Sequence, residues 1–557
     1  MLEGMLDDNE GSDGESDIDE NIVRNFAESQ DSDLEDDGPD EVVANPADPA
    51  GDQVMVDLHP GPWSENLHNV TIEDFKEPTG PLPEIVDRLY NTTEAPLFFL
   101  EYFPELLFTK MALETNRFAT QSNAPASWKP VTSGDMKLFL FINIMFGLHQ
   151  LPEYSHYWST DPLLGVPAVS SCMPRGRYEK ISKYFHLNDN TLRVPRDDDR
   201  YDPIYKVRPL YETVRMNCVE KYRPGRDISV DEAMVAFTGR LHFKQYIKNK
   251  PTRWGIKIWC IADQSGYLLD FQVYTGKGAV AASKHGVGYD VVMALSARYL
   301  FKYHHVFYDN FFASVPLAND LLRRKTYCCS TFRTNRKGWP KNFSSKKNEG
   351  GPKMRQIGNL VATFWFDKRP VNILSTNSNP TTTIVSRRAP GGRVDKEIPS
   401  AVDIYNQRMG GVDLHDQYRS YYPVGRRSRK WWRCMVWFLV QVAIINGYHL
   451  YVAVWRLSAT TEALLTPLKF RLELLRWLKA SGTARKRVAP ETPRPVRGSE
   501  CHTPVRLSGR KKTCFQCRKD KKKTPKGHQV ETVYGCSMCQ VHLCEGACYS
   551  QYHRDNC

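Results

Sequence analysis

The chain has 557 residues, 41% hydrophobic and 25% charged, with a formal net charge of +11. These fractions belong to a soluble globular protein of roughly three or four domains. The acidic opening leaves no place for a basic-then-apolar signal peptide, and none is expected. The cysteines fit no disulfide framework: eight of the 14 lie at or beyond Cys501 and the rest are scattered, as in a reducing compartment.

The charge is unevenly placed. Residues 1–52 hold 19 Asp/Glu against one basic residue, Arg24, whereas the remainder holds 74 Lys/Arg against 45 Asp/Glu. A basic body suits a polyanionic partner, nucleic acid first. Residues 1–80 read as an acidic disordered tail, rich in Ser, Gly and Pro and poor in aromatics. Ser12, Ser16, Ser29 and Ser32 precede acidic residues, the pattern acidophilic kinases prefer. Two readings stay open: an unmodified solubilising tail, or a phosphorylated one with still more charge.

Residues 81–226 read as mainly helical. Within them Asp135 opens the apolar run MKLFLFINIMFGL, with Ser133 or Asp135 as its cap. Strands are expected at ISVDEAMVAF (228–237), WGIKIWCIAD (254–263) and YLLDFQVYTG (267–276), the last two joined by Gln-Ser-Gly. A helix at 287–302, a strand at 304–309, a helix at 314–325 and a strand at 327–332 follow. Three strands, helix, strand, helix, strand is the order of a ribonuclease-H-like α/β core over 227–332. Residues 333–400 read as a β-rich insertion, and 401–425 as the last, acidic helix of the core. Helical segments resume over 426–482. The stretch 434–456 is long enough to span a bilayer, but Gln441, Asn446, Gly447 and His449 favour a buried core helix, and no membrane partner is expected. A basic linker over 483–511 and a Cys-rich module over 512–557 end the chain.

Three aspartates matter by place rather than by type. Asp231 lies within the first core strand, Asp309 ends the fourth, and Asp413 lies on the helix after the fifth. In a ribonuclease-H-like sheet the first and fourth strands are neighbours and that helix packs across their ends. The three carboxylates are therefore expected to converge, with Asp416 on the same helix face. Phosphoryl transfer on DNA explains such a cluster: two magnesium (or manganese) ions about 3.5–4 Å apart can activate one oxygen and stabilise another. Lys244, Lys248, Lys250, Arg253 and Lys257 cluster on a connection between core strands, and Arg426, Arg427, Arg429 and Lys430 follow the acidic helix. Both clusters are expected beside the site, against phosphates.

The tail contains Cys514-x2-Cys517, Cys536-x2-Cys539, Cys544-x3-Cys548 and His553-x3-Cys557. Four pairs supply eight ligands, enough for two tetrahedral zinc sites. Interleaved as a cross-brace, the first and third pairs share one zinc and the second and fourth the other. His528 and His542 are spare candidates, and Cys501 and His502 are expected outside.

ISVDEAMVAFTGR (228–240), YIKNKPTRWGIK (246–257), YDNFFASVPLA (308–318) and MGGVDLHDQ (409–417) resemble the motifs of piggyBac transposases, in that family's order. With the Cys-rich module the resemblance covers about residues 82–557. It implies a DDE/D transposase with Asp231, Asp309 and Asp413 as triad and Asp416 at the family's additional acidic position. It implies cut-and-paste strand cleavage and transfer on double-stranded DNA, at transposon ends and TTAA targets. It implies a nuclear homodimer, helical dimerisation and DNA-binding parts at 81–226 and 426–482, and a zinc module that binds end DNA. Trp431 occupies the family's aromatic position, where it either stacks on an unpaired base or packs in the core. The alternative is a domesticated DNA-binding protein that no longer transposes.

Overall fold

A computed structural model describes residues 62–483 and 502–556, apart from 91, 249, 251, 277–282, 345–350, 390–391, 503, 508 and 538. Ser12, Ser16, Ser29, Ser32, Cys501, most of the basic linker and Cys557 lie outside the described residues. The chain divides into two compact units, between Gly482 and Thr483.

In the larger unit the principal helices before the sheet are α1 (Pro83–Leu89), α2 (Ala95–Leu100), α3 (Glu105–Gln121), α4 (Ser133–Leu148), α5 (Arg175–Tyr184) and α6 (Arg208–Lys221). The apolar run predicted after residue 133 is α4. Its cap is Thr132, not Ser133 or Asp135. The Thr132 hydroxyl accepts the Asp135 N–H at 3.2 Å and Asp135 accepts the Thr132 N–H at 3.0 Å. Both groups of a capping box are thereby satisfied, which a free Asp cap would not achieve.

Among the described residues nine strands form one sheet. They are β1 (Asp227–Ala236), β2 (Lys244–Tyr246), β3 (Trp254–Asp263), β4 (Leu268–Val273), β5 (His305–Tyr308), β6 (Tyr327–Thr331), β7 (Lys353–Ile357), β8 (Leu360–Phe366) and β9 (Pro370–Ser375). Their order is β2-β3-β1-β5-β6-β9-β8-β7, with β4 also on β3. β1, β3 and β4 are antiparallel, whereas β1–β5 and β5–β6 are parallel. The parallel pairs need crossovers. These carry α7 (Val287–Ser296) and α8 (Val315–Arg323). The β-rich stretch after residue 332 continues this sheet through β9, β8 and β7. Its hairpin of β10 (Thr382–Ala389) and β11 (Gly392–Pro399) is a separate two-stranded sheet.

Next come α9 (Ser400–Arg408), α10 (Gly411–Tyr421), α11 (Trp431–Leu457) and α12 (Pro467–Thr483). The single helix expected within 401–425 is two, broken at Met409 and Gly410. Helix α11 is apolar all round, which is the signature of a buried helix. It is long and apolar enough to cross a membrane, yet most of its apolar stretch is buried in the protein. Its polar residues serve neighbouring backbone. Asn446 Oδ1 accepts the Leu268 N–H at 3.0 Å and its Nδ2 donates to the Leu268 carbonyl at 2.8 Å, completing β4 as another strand would. Gln441 donates to the Arg419 carbonyl at 3.0 Å, satisfying the end of α10. Phe139 of α4, Phe271 of β4, Ile258 of β3 and Phe438 of α11 share one hydrophobic core. Burying each such side chain contributes about 1.5–3 kcal/mol. Segments on both sides of residues 226 and 426 thus belong to one unit.

The fold begins earlier than expected, because part of the stretch read as tail is ordered. Residues 63–75 run as an arm along the sheet. Ser64 pairs with Gln356 of β7. The Val70 N–H donates to Asn379 at 2.8 Å, the Glu73 N–H donates to the Tyr327 hydroxyl at 2.7 Å, and Phe75 packs on His304.

Asn446→Leu removes both partners of the buried Leu268 backbone. Each unsatisfied group costs about 1–3 kcal/mol. With two such groups the variant should lose about 2–6 kcal/mol, read as a lower urea midpoint.

Candidate active site and metal centres

Asp231 sits in the middle of β1. The β1–β5 register pairs Val230 with Tyr308, so Asp309 leaves β5 beside Asp231. The third acid arrives by close packing. A Cβ on Gly411 would lie 2.4 Å from the Asp263 carbonyl and 2.6 Å from Ser229 Oγ, so only glycine lets α10 start against the ends of β1 and β3. One turn later His415 Nδ1 bonds the Gly266 carbonyl at 2.9 Å. Burial lowers the His415 pKa to about 3, which keeps the ring neutral. Gly266 takes a positive φ of 87° in the β3–β4 turn, where Asp263 Oδ1 accepts the Ser265 and Tyr267 N–H groups. Asp413 is therefore carried on a helix end pinned to the sheet.

Lys250 stands among the acids. Its Nζ is 4.0 Å from Asp231 and 3.8 Å from Glu232, and it donates to the Glu232 carbonyl at 3.2 Å. Against the cost of burial, Asp231, Glu232, Asp413 and Asp416 hold its ammonium above the ordinary lysine pKa. Burial pushes the Asp231 carboxyl up to about 8, against the pull of Lys250, with Glu232 and Asp309 adding repulsion. Burial also raises Asp309, although the Phe311 N–H donates to it at 2.9 Å. Asp416 pairs with Arg419 at 2.5 Å. Crowded acids of this kind suit a divalent cation, which would favour their ionised forms. Among the described residues the carboxylates do not draw together as tightly as the C-terminal groups below, and the ammonium of Lys250 stands among them. Glu232 is a member that sequence reasoning missed. Strand alternation sends it to the face opposite Asp231, yet both are half-buried.

The smaller unit holds two clusters whose ligand atoms all lie within 4.8 Å of one another: Cys514, Cys517, Cys544 and Cys548, and His502, Cys536, Cys539 and His553. The interleaving of a cross-brace is present. The correction is His502, expected outside, whose Nδ1 lies 3.3 Å from both Cys536 and Cys539. Antiparallel pairing of Pro504–Arg506 with Tyr534–Cys536 brings His502 alongside the cluster, whereas Cys557, expected as a ligand there, lies outside the described residues. His553 Nδ1 bonds the Tyr549 carbonyl at 2.8 Å, which leaves Nε2 toward the cluster. His528 and His542 belong to neither group. Burial and neighbouring thiols push Cys517 and Cys544 up to about 11 and Cys548 up to about 12. Such a set loses its protons together only when a cation compensates. The donor chemistry fits zinc.

A family model described as Transposase IS4 matches residues 96–448, a span that contains all five acids. PiggyBac transposable element-derived protein 2 of Homo sapiens is 30% identical over 395 residues, 68% of this chain and 65% of that protein. The chain thus aligns with slightly less than two thirds of that relative. PiggyBac transposable element-derived protein 3 of Homo sapiens is 28% identical over 451 residues, 76% of this chain and 71% of that protein. This chain belongs to the piggyBac-type transposase family. A piggyBac transposase solved by cryo-EM in a synaptic complex with hairpin DNA has the same fold, with a TM-score of 0.63, 22% identity, and coverage of 84% of this chain and 98% of that one.

In this piggyBac-type chain the basic residues predicted for DNA are used in different ways. Lys248, Arg253, Arg427, Arg429 and Lys430 are exposed. Lys244 donates to the Gly239 carbonyl at 3.0 Å and lies over Trp254. Arg426 donates to the carbonyls of Leu151 and Pro152, bracing a loop. Lys250 and Lys257 face the acids instead of forming an outward patch, because buried carboxylates need counter-charge. Trp431 is half-buried, edge-on to the buried Phe243 at 5.6 Å.

His502→Ala should lower the bound zinc from two per chain to one, while Cys557→Ser keeps two. Metal content measured after exhaustive dialysis checks both.

Proposed function

We propose that this chain is a metal-dependent DNA transposase on a ribonuclease-H-like core, with Asp231, Asp309 and Asp413 as its metal-binding carboxylates. The observation that carries this reading is the gathering of acids from β1, the end of β5 and the start of α10 around one ammonium, Lys250. The sheet order supports the core: three antiparallel strands joined to two parallel ones by helical crossovers.

Magnesium or manganese bound there would supply Lewis-acid activation of the attacking oxygen and charge stabilisation of the leaving one. The protein's own part is positional and electrostatic. Pinned β1 and α10 fix the carboxylates. Lys250 balances their charge, and Lys257 adds a cation beside Asp309 toward the phosphate. Water then cuts one strand at the transposon end, and the freed 3′-hydroxyl attacks the other strand at a flanking TTAA. The hairpin is reopened and the same hydroxyl joins a TTAA target. Each step is an in-line displacement at phosphorus, so one site serves all of them. The motif resemblance and the likeness to a transposase–hairpin complex support this sequence of steps.

The reading includes a homodimer working in the nucleus on double-stranded DNA. The basic run RKDKKK (518–523) supports DNA contact and nuclear entry. Two zinc ions hold the C-terminal module. A second reading, a domesticated DNA-binding protein, is favoured by the names of the human relatives, which are element-derived proteins.

Excision from a TTAA-flanked donor plasmid separates them. The wild-type chain should excise, and Asp309→Asn should lose about a hundredfold or more, the scale on which loss of a charge-stabilising group acts. Unchanged excision by Asp309→Asn defeats the metal assignment. Specific end binding by a wild-type chain that never excises supports the domesticated reading.

A further inference from the structure

We infer that Phe311 is a stacking platform for an unpaired base next to the phosphate that Asp309 serves, an inference that rests on the transposase reading of Asp309. Two phenylalanines follow Asp309-Asn310, and the turn sends them in opposite directions. Phe312 is 1% exposed in the core, whereas Phe311 keeps 37% of its surface in solvent. A lone exposed phenylalanine is ordinary. This one is held in place.

Asp309 Oδ1 accepts the Phe311 N–H at 2.9 Å. Arg336 donates to the Phe311 carbonyl at 2.9 Å and also to the Ala313 carbonyl, and Arg333 donates to Asn310 Oδ1 at 3.0 Å. From the other side α7 presses close: a Cβ on Gly288 would lie 2.9 Å from the Phe311 carbonyl and 3.0 Å from the Phe312 Cα. The ring itself packs edge-on against Phe312 at 5.0 Å, and Lys257 Nζ lies 4.4 Å from its centroid. A rigid backbone, a partly free aromatic face and a cation on the ring describe a surface prepared for a flat, electron-rich group beside phosphates. In duplex DNA both faces of each base are already stacked. The occupant is therefore a base splayed out where the strand is distorted. Arg333 and Lys337 are exposed on the neighbouring loop after β6 and suit the backbone of that strand.

Phe311 contacts substrate in this assignment and takes no proton. The test uses the full chain and a fluorescent adenine analogue, 2-aminopurine, in a short unpaired flap at the end of a duplex. Wild-type protein should quench the flap on binding, and Phe311→Tyr should retain the quenching. Phe311→Ala should leave the flap bright and weaken flapped-end binding about tenfold or more relative to a blunt duplex of the same sequence. Equal loss on flapped and blunt DNA would mark the loop as structural and overturn the assignment. Wild-type quenching and affinity in Phe311→Ala, with excision intact in the wild type, would overturn the assignment and leave the transposase reading standing. A wild type that binds neither DNA would defeat both.

Discussion

Backbone meets backbone where α10 begins. At Gly411 the helix lies so near the ends of β1 and β3 that a single methyl group would strike the Asp263 carbonyl. Much else follows from this contact. It places Asp413 in the first turn against the sheet, brings His415 onto the β3–β4 turn, and sets the end of α10 where Gln441 of α11 can satisfy it. The break at Met409–Gly410 has the same origin, because a continuous helix from α9 could not turn down onto the sheet. Close-packed interiors transmit such placements faithfully. The site therefore inherits its geometry from the core rather than from its loops.

That geometry carries an electrostatic cost. Five carboxylates lie near one another, one of them with a pKa of about 8. A protein selected for stability alone would not gather them. Acid clusters with displaced pKa values are the mark of sites whose task needs charge in a confined place. Lys250 offsets part of the repulsion. It stands near the acids on a connection between strands, so a basic residue grouped by sequence with a DNA-facing patch serves inside the site.

Much of this was legible in the chain. The strands of the core, the helical crossovers and the positions of Asp231, Asp309 and Asp413 on them followed from alternation, turn residues and element order. The Cys pairs predicted the interleaved clusters. What escaped notice depends on three-dimensional company. Thr132 caps α4 because its partner Asp135 reaches back, and Ser133 one residue later offers the same chemistry on paper. Glu232 joins the acids although strand periodicity turns it away. His502 reaches Cys536 through pairing of Pro504–Arg506 with a distant strand, and no local spacing announces that. The strands β7 to β9 read as β-rich but carry no signal of which sheet they extend. Register between segments distant in sequence is set by packing, and periodicity is silent about it.

The arm of residues 63–75 has a consequence for the outer rim of the sheet. Strand β7 ends the row, and a terminal strand with free peptide groups invites pairing with another molecule. Ser64 occupies Gln356 there, the Gln356 side chain takes the His68 N–H, and Asn359 both donates to and accepts from Thr71. The amide side chains act as a hem stitched along the border. A truncation meant to remove only the acidic stretch must stop before Trp63, since cutting at residue 80 would unpick that hem and leave a raw strand on which chains could accrete.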